Sequence, residues 1–167
     1  MGVHDCAGEA PRSVSFSVIT VSETATETHD LSGMAISNLL KSAGHCLVRR
    51  TIVRHDVAEI QKALRESIED SRVQAIVING GTGIAREDVT IEAVSHFEEK
   101  SLPGFGELFR SLSYAEIGGS AMMSRATAFA SEGKVVFCLP GSEEAVRLAA
   151  DKLIAPELGH LVLEASR

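Results

Sequence analysis

The segment Asn79-Gly80-Gly81-Thr82-Gly83 carries the residue types best suited to chemistry in this chain. The apolar run Ala75-Ile76-Val77-Ile78 leads directly into it, and Asp88-Val89-Thr90 follows. Glycines let a ligand approach the backbone without meeting a Cβ. Successive backbone N–H groups in such a turn form a nest for oxyanions. Asn79, Gly80, Gly81, Thr82 and Gly83 are therefore expected to hold an anionic small molecule. The segment is not a P-loop, because no Lys-Ser/Thr pair follows the last glycine, and it is not GxGxxG.

Asp88 falls where the next helix should begin. A carboxylate there can hold Mg²⁺ against phosphates or simply cap the helix, and the sequence favours neither. Leu139-Pro140-Gly141-Ser142 is a second strand-to-helix junction, whose N–H groups should point to the same edge of a sheet. Paired with the first loop, it suggests a two-sided pocket. Ser124 and Arg125 lie in a stretch of small polar residues, and Arg125 is a candidate phosphate contact.

These residues need elements to position them. Residues 14–21 alternate Ser with Val, Phe and Ile and read as a strand. Asp30 is placed to cap a helix through Ala43, which Gly44 ends. A second strand covers 45–53. Asp56 caps a second helix, and Glu59 three residues later completes a capping-box pattern. Ile60, Leu64 and Ile68 mark its buried face. The run 75–78 has the uninterrupted apolar character of a central parallel strand. Successive strand starts about 30 residues apart predict βαβ units with right-handed crossovers. Further on, 89–97 reads as helical, and 105–114 as a helix after a Pro103-Gly104 break. Residues 127–130 and 134–139 flank Ser131-Glu132-Gly133 as a hairpin, which makes the sheet mixed near its edge. Ser142 caps a helix through Ile154, and Pro156 is expected to break the chain before a short final helix.

The fold class expected is α/β, a three-layer α/β/α sandwich with a mostly parallel sheet. One domain spans 14–167, preceded by a flexible tail at 1–13. The 167 residues are 44% hydrophobic but only 4% aromatic, so the core must be largely aliphatic. A net charge of -7 argues against general nucleic-acid binding, which needs a basic surface. Three cysteines without a CxxC pair fit neither a disulfide framework nor a zinc site. With no leader-like or membrane-spanning run, a cytoplasmic location is expected.

Asn-Gly-Gly-Thr-Gly followed by Asp-Val-Thr resembles the signature of the MoaB/Mog family, the molybdopterin-binding domains of molybdenum-cofactor biosynthesis. Residues 104–110, Leu112-Ser113-Tyr114, Glu116-Ile117-Gly118, Ser124-Arg125-Ala126 and Leu139-Pro140-Gly141-Ser142 are similar to the MoaB branch. Thr20-Val21-Ser22, Asp30, Ser32-Gly33 and Ala43-Gly44-His45 fit the family's opening. The resemblance implies homotrimers, sometimes paired into hexamers, and a function in making the cofactor. It implies adenylylation of molybdopterin by Mg²⁺-ATP with release of pyrophosphate, or alternatively a non-catalytic molybdopterin carrier. It places Asp88 and Asp56 as catalytic, with Asp88 also facing the metal, Gly80–Gly83 on phosphate, and Pro140, Gly141 and Ser142 on the pterin side. Two positions depart from the family pattern: Arg86-Glu87 stands before Asp88, and His55 stands before Asp56 where an acid is common.

Overall fold

In β3 (Ala75–Asn79) every residue is buried, and its side chains serve two cores. Ala75 and Val77 join one apolar cluster, while Ile76 and Ile78 join another. Alternating sides of a strand can both be apolar only if helices cover both faces of the sheet. The computed structural model, which describes residues 10–167, has this three-layer arrangement.

The sheet has six strands in the order β2-β1-β3-β6-β5-β4. β1 (Ser15–Val21), β2 (Cys46–Val53), β3 and β6 (Lys134–Leu139) run parallel. β5 (Thr127–Ser131) pairs antiparallel to β6 through the expected hairpin, where Glu132 and Gly133 both have positive φ. The sequence did not signal β4 (Lys100–Ser101), which adds an antiparallel edge to β5.

α1 (Leu31–Ser42), α4 (Pro103–Ile117), α5 (Glu143–Ala149) and α6 (Ala155–Ala165) pack on one face. Within this layer Phe105 meets Phe137 edge-on at 5.2 Å between ring centroids. α2 (Val57–Glu69) and α3 (Thr90–Val94) cover the other face through Ile60, Leu64, Ile68, Ala93 and Val94. The adjacent strands β1 and β3 thus send their following helices to opposite faces. That divergence opens a crevice at their carboxyl ends, the usual ligand position in an open α/β sheet.

The caps form largely as expected. Asp30 accepts from the Gly33 N–H at 2.9 Å, Asp56 from the Glu59 N–H at 2.9 Å, and Ser142 from the Ala145 N–H at 3.3 Å. The capping box is displaced, however. Glu59 reaches back to the Arg54 N–H at 3.1 Å, because the Asp56 N–H already bonds the Arg54 carbonyl. The guanidinium of Arg54 also binds Glu59 and holds its carboxyl below the usual range.

Two prolines act differently from expectation. Pro103 opens α4 instead of preceding it, at a position whose N–H needs no helical partner. Pro156 does not break the chain. A π-turn at Ala150–Ile154 joins α5 to α6, with the Ala155 N–H bonding the Ala150 carbonyl. Pro156 then falls in the first turn of α6, where its missing donor costs little.

Of the expected tail, residues 1–9 lie outside the described residues. Pro11 lies so close to Gly159 of α6 that a side chain at 159 would strike its carbonyl, so this end of the expected tail is docked. No helix among the described residues is long and apolar enough to cross a membrane.

Candidate functional site

The carboxyl ends of β1 and β3 are joined by a buried polar chain. Ser32 donates to Asn79 Oδ1 at 2.7 Å, and Asn79 Nδ2 donates to Thr20 Oγ1 at 3.0 Å and to the Ile19 carbonyl at 3.3 Å. The Thr20 hydroxyl donates to Asp30 Oδ2 at 2.9 Å, and Arg50 Nε stands 3.6 Å from that oxygen. The Asp30 side chain is fully buried. A buried carboxylate persists only when paired and hydrogen-bonded, and here the α1 cap, Thr20 and Arg50 supply the partners. Asn79 is therefore a post that fixes the start of the glycine loop, with its amide already engaged.

The loop beyond it is fixed from within. Gly80 and Gly81 have φ of 94° and 65°, a region that favours glycine. The Thr90 hydroxyl donates to the Gly80 carbonyl at 2.8 Å, and the Thr90 N–H donates to the Gly81 carbonyl at 2.9 Å. Gly83 needs its missing side chain for a different reason: a Cβ there would lie 2.5 Å from Asp88 Oδ2.

Two cavities flank this loop and share Gly81 and Gly141. The larger, about 420 Å³, is lined by Thr20, Ser22, His29, His55, Gly80 and Glu143 among others. The smaller, about 310 Å³, is lined by Thr82, Gly83, Asp88, Met123, Ser124 and Pro140 besides the shared pair. The two-sided pocket expected from paired strand-to-helix junctions is thus present, with Gly141 reaching both sides. Ser142 lines neither cavity and serves α5 as its cap.

Asp88 does not cap α3. Val89 holds that position without a side-chain bond, and Asp88 Oδ2 instead accepts the Ala85 N–H at 3.0 Å. The residue also lines the smaller cavity. Ser124 Oγ, buried on the same wall, has no hydrogen-bond partner among the described residues. Such an orphan is costly unless a ligand or water satisfies it. Asp56 lines neither cavity, and His55 beside it lines the larger one.

Arg125 is largely spent on the protein. Nε donates to the Thr82 carbonyl at 3.1 Å, Nη2 to the Asp88 carbonyl at 3.0 Å, and both terminal nitrogens bind Glu92. The hydrogen bond from Arg125 holds the Glu92 carboxyl below its usual range, more strongly than partial burial raises it. The pair therefore stays ionised through the ordinary carboxylate range and is lost only as pH falls through the lowered value.

His29, His55, Thr20 and Asp30 were not recognised as site residues from sequence. For Thr20 and Asp30 a signal existed, since they end β1 and start α1 at the mouth of a predicted parallel sheet. His29 had none, because its place depends on loop packing, whereas His55 stood out only as a departure from the acid common at its position.

The structure thus defines an α/β protein with a glycine loop at the switch point of a mixed sheet. The chain belongs to the family of probable molybdopterin-binding domains, whose model matches residues 17–160. It is 48% identical to molybdenum cofactor biosynthesis protein B of Bacillus cereus, over 100% of this chain and 99% of that one. The Bacillus subtilis protein of the same name is 47% identical, over 98% and 97%. A crystal structure of a molybdenum cofactor biosynthesis protein B superposes with a TM-score of 0.90 at 49% identity, covering 94% of this chain and 98% of that one. The tungsten cofactor synthesizing protein MoaB of Pyrococcus furiosus gives 0.85 at 38% identity, covering 95% and 100%.

Proposed function

We propose that the protein binds molybdopterin and transfers an adenylyl group to it from Mg²⁺-ATP. The observation that carries this reading is the glycine loop standing between two cavities that meet at Gly81 and Gly141. Two anionic partners can approach one backbone from opposite sides there. In the reaction, the terminal phosphate oxygen of molybdopterin forms a bond to the α-phosphorus of ATP. The α–β phosphoanhydride bond breaks, and pyrophosphate leaves with its electron pair. The chain's contribution is positioning and the N–H nest of residues 81–83, since the Gly80 N–H already donates to the Leu139 carbonyl at 3.0 Å.

A hard oxygen donor facing a cavity suits Mg²⁺, and Asp88 provides one. No group of three or more metal-binding side chains occurs among the described residues, which fits an ion held by one carboxylate plus substrate phosphates. When bound, Mg²⁺ neutralises phosphate charge. Asp88 would hold it, while Thr82, Gly83 and Ser124 shape the wall around it.

A second reading, a molybdopterin-binding protein without turnover, is favoured by Asp56. The second candidate carboxylate caps a helix away from both cavities, leaving Asp88 as the sole catalytic acid of the pair. Purified protein with molybdopterin and Mg²⁺-ATP decides between them. Stoichiometric pyrophosphate release supports transfer; tight molybdopterin binding without release supports the second reading.

A further inference from the structure

Glu87 and Asp88 present consecutive carbonyls, and each is held by a side chain from a different element. His55 Nδ1 lies 3.0 Å from the Glu87 carbonyl, and Arg125 Nη2 lies 3.0 Å from the Asp88 carbonyl. A carbonyl can only accept, so His55 must carry its proton on Nδ1. His55 is itself tied down, because its N–H donates to Glu23 Oε1 at 2.9 Å. Arg125 is tied by Glu92 and by the Thr82 carbonyl. Residues 84–87 are otherwise exposed, and their remaining bonds are the local turn between Ala85 and Asp88. Three loops, those after β1, β2 and β3, meet at His55, and the segment before β5 joins them through Arg125.

We propose that His55 and Arg125 are positioning residues that clamp the 87–88 backbone and thereby aim the Asp88 carboxylate into the smaller cavity. The inference rests on the reading that Asp88 serves adenylyl transfer. A carboxylate on a loop has no fixed direction unless its backbone is held on both sides of the Cα. Here the carbonyls before and after that Cα are gripped from opposite flanks. Misplacement of a reacting group by about 1 Å can cost about a hundredfold in rate. The clamp therefore acts on turnover more than on ligand affinity. Neither residue needs to touch substrate. This accounts for the use of Arg125, which follows the cavity-lining Ser124 yet spends most of its donors on carbonyls and Glu92.

The clamp is tested by removing the donor without adding charge. In His55→Asn the amide nitrogen replaces Nδ1 and still donates; His55→Leu is of similar size but has no donor for the carbonyl. Amide hydrogen exchange at Ala85 and Asp88 is read first, without ligand, followed by kcat and KM for ATP. The expected result is faster exchange in H55L, a kcat lower by about ten- to a hundredfold, a KM within about threefold of wild type, and recovery of both in H55N. Arg125→Lys, which loses the planar fork, should behave like H55L and serves if that variant does not fold. Unchanged exchange in H55L and R125K overturns the clamp, as does a KM effect with kcat preserved. If wild type shows no adenylyl transfer, the reaction fails as a reading, and the exchange contrast between H55L and H55N still decides the clamp.

Discussion

Gly141 and Gly80 meet backbone to backbone: a Cβ built on Gly141 would lie 3.1 Å from the Gly80 Cα. The two strand-to-helix junctions are thus in contact, and the Gly80 N–H also donates to the Leu139 carbonyl at 3.0 Å. Gly141→Ala forces the glycine loop to yield by a few tenths of an ångström. Because the obstacle is backbone, we expect a stability loss of about 1–3 kcal/mol. Molybdopterin affinity should fall about tenfold, equivalent to about 1.4 kcal/mol. Thermal melts and calorimetry check both, and wild-type affinity in G141A would show that the shared wall is not part of the binding surface.

Gly83→Ala tests a different contact. Gly83 does not share the positive φ of Gly80 and Gly81, so its substitution is opposed by the Asp88 carboxylate and not by backbone strain. A carboxylate can rotate away cheaply. The melting temperature should change little, while adenylyl transfer falls about tenfold or more as Asp88 swings out. A fully active G83A would mean that this orientation of Asp88 is not the productive one.

Asp88→Asn and Asp56→Asn should separate sharply. Asn at 88 still accepts the Ala85 N–H, which preserves the turn, but it loses the charge that would hold Mg²⁺. Transfer should disappear with molybdopterin still bound. Asn at 56 still caps α2, and position 56 lines neither cavity. Its rate should stay within about twofold of wild type by the same positional argument. Rates at saturating ATP distinguish the pair, and equal losses would place Asp56 in the chemistry after all.

Asp30→Ala removes one member of a buried ionic chain and leaves Arg50, Thr20 and the Gly33 N–H short of a partner. Loss of one partner in such a network costs about 3 kcal/mol or more. For a chain of this length that is a drop of about 10 °C in Tm. A melt within one or two degrees of wild type would show that the network contributes little.

Cys138 and Cys46 should differ in reactivity. Burial, with the nearby Glu98 charge adding to it, pushes the Cys138 thiol up to about 12, whereas Cys46 is exposed. The reactive form is the thiolate, so at pH 8.5 Cys138 stays protonated and shielded. Peptide mapping after iodoacetamide treatment of the native protein should find Cys46 modified and Cys138 unmodified until denaturant is added. Early labelling of Cys138 would indicate that β6 opens easily.

Much of the fold was legible because the strongest signals were local. The apolar run 75–78, the helical spacing of Ile60, Leu64 and Ile68, and the caps at Asp30, Asp56 and Ser142 depend on neighbours in sequence. β4 was not legible: Lys100 and Ser101 have no apolar pattern, and only pairing with β5 makes them a strand. Pro156 was misread because a π-turn supplies what an α-helix there would lack. In the site, the glycine loop and Asp88 stood out by residue type. The partners of Arg125, at residues 82, 88 and 92, and the contact between His55 and Glu87 cross loops from different strands, so no spacing rule reveals them.

The two-residue β4 has a consequence for how the molecule behaves in a crowded solution. A sheet edge is an open row of donors and acceptors, and a long flat one invites other chains to add on. On this side the edge ends after Ser101, and two residues later the chain turns into a helix that begins with proline, a residue without an N–H. The opposite edge, β2, carries Arg49 and Arg50 side by side, one toward each face. A foreign strand would find almost no ladder at one border and charge on both sides at the other. Among the described residues the sheet therefore ends at six strands with no long, uncharged edge at either border, while its apolar strands 75–79 and 134–139 remain sealed inside.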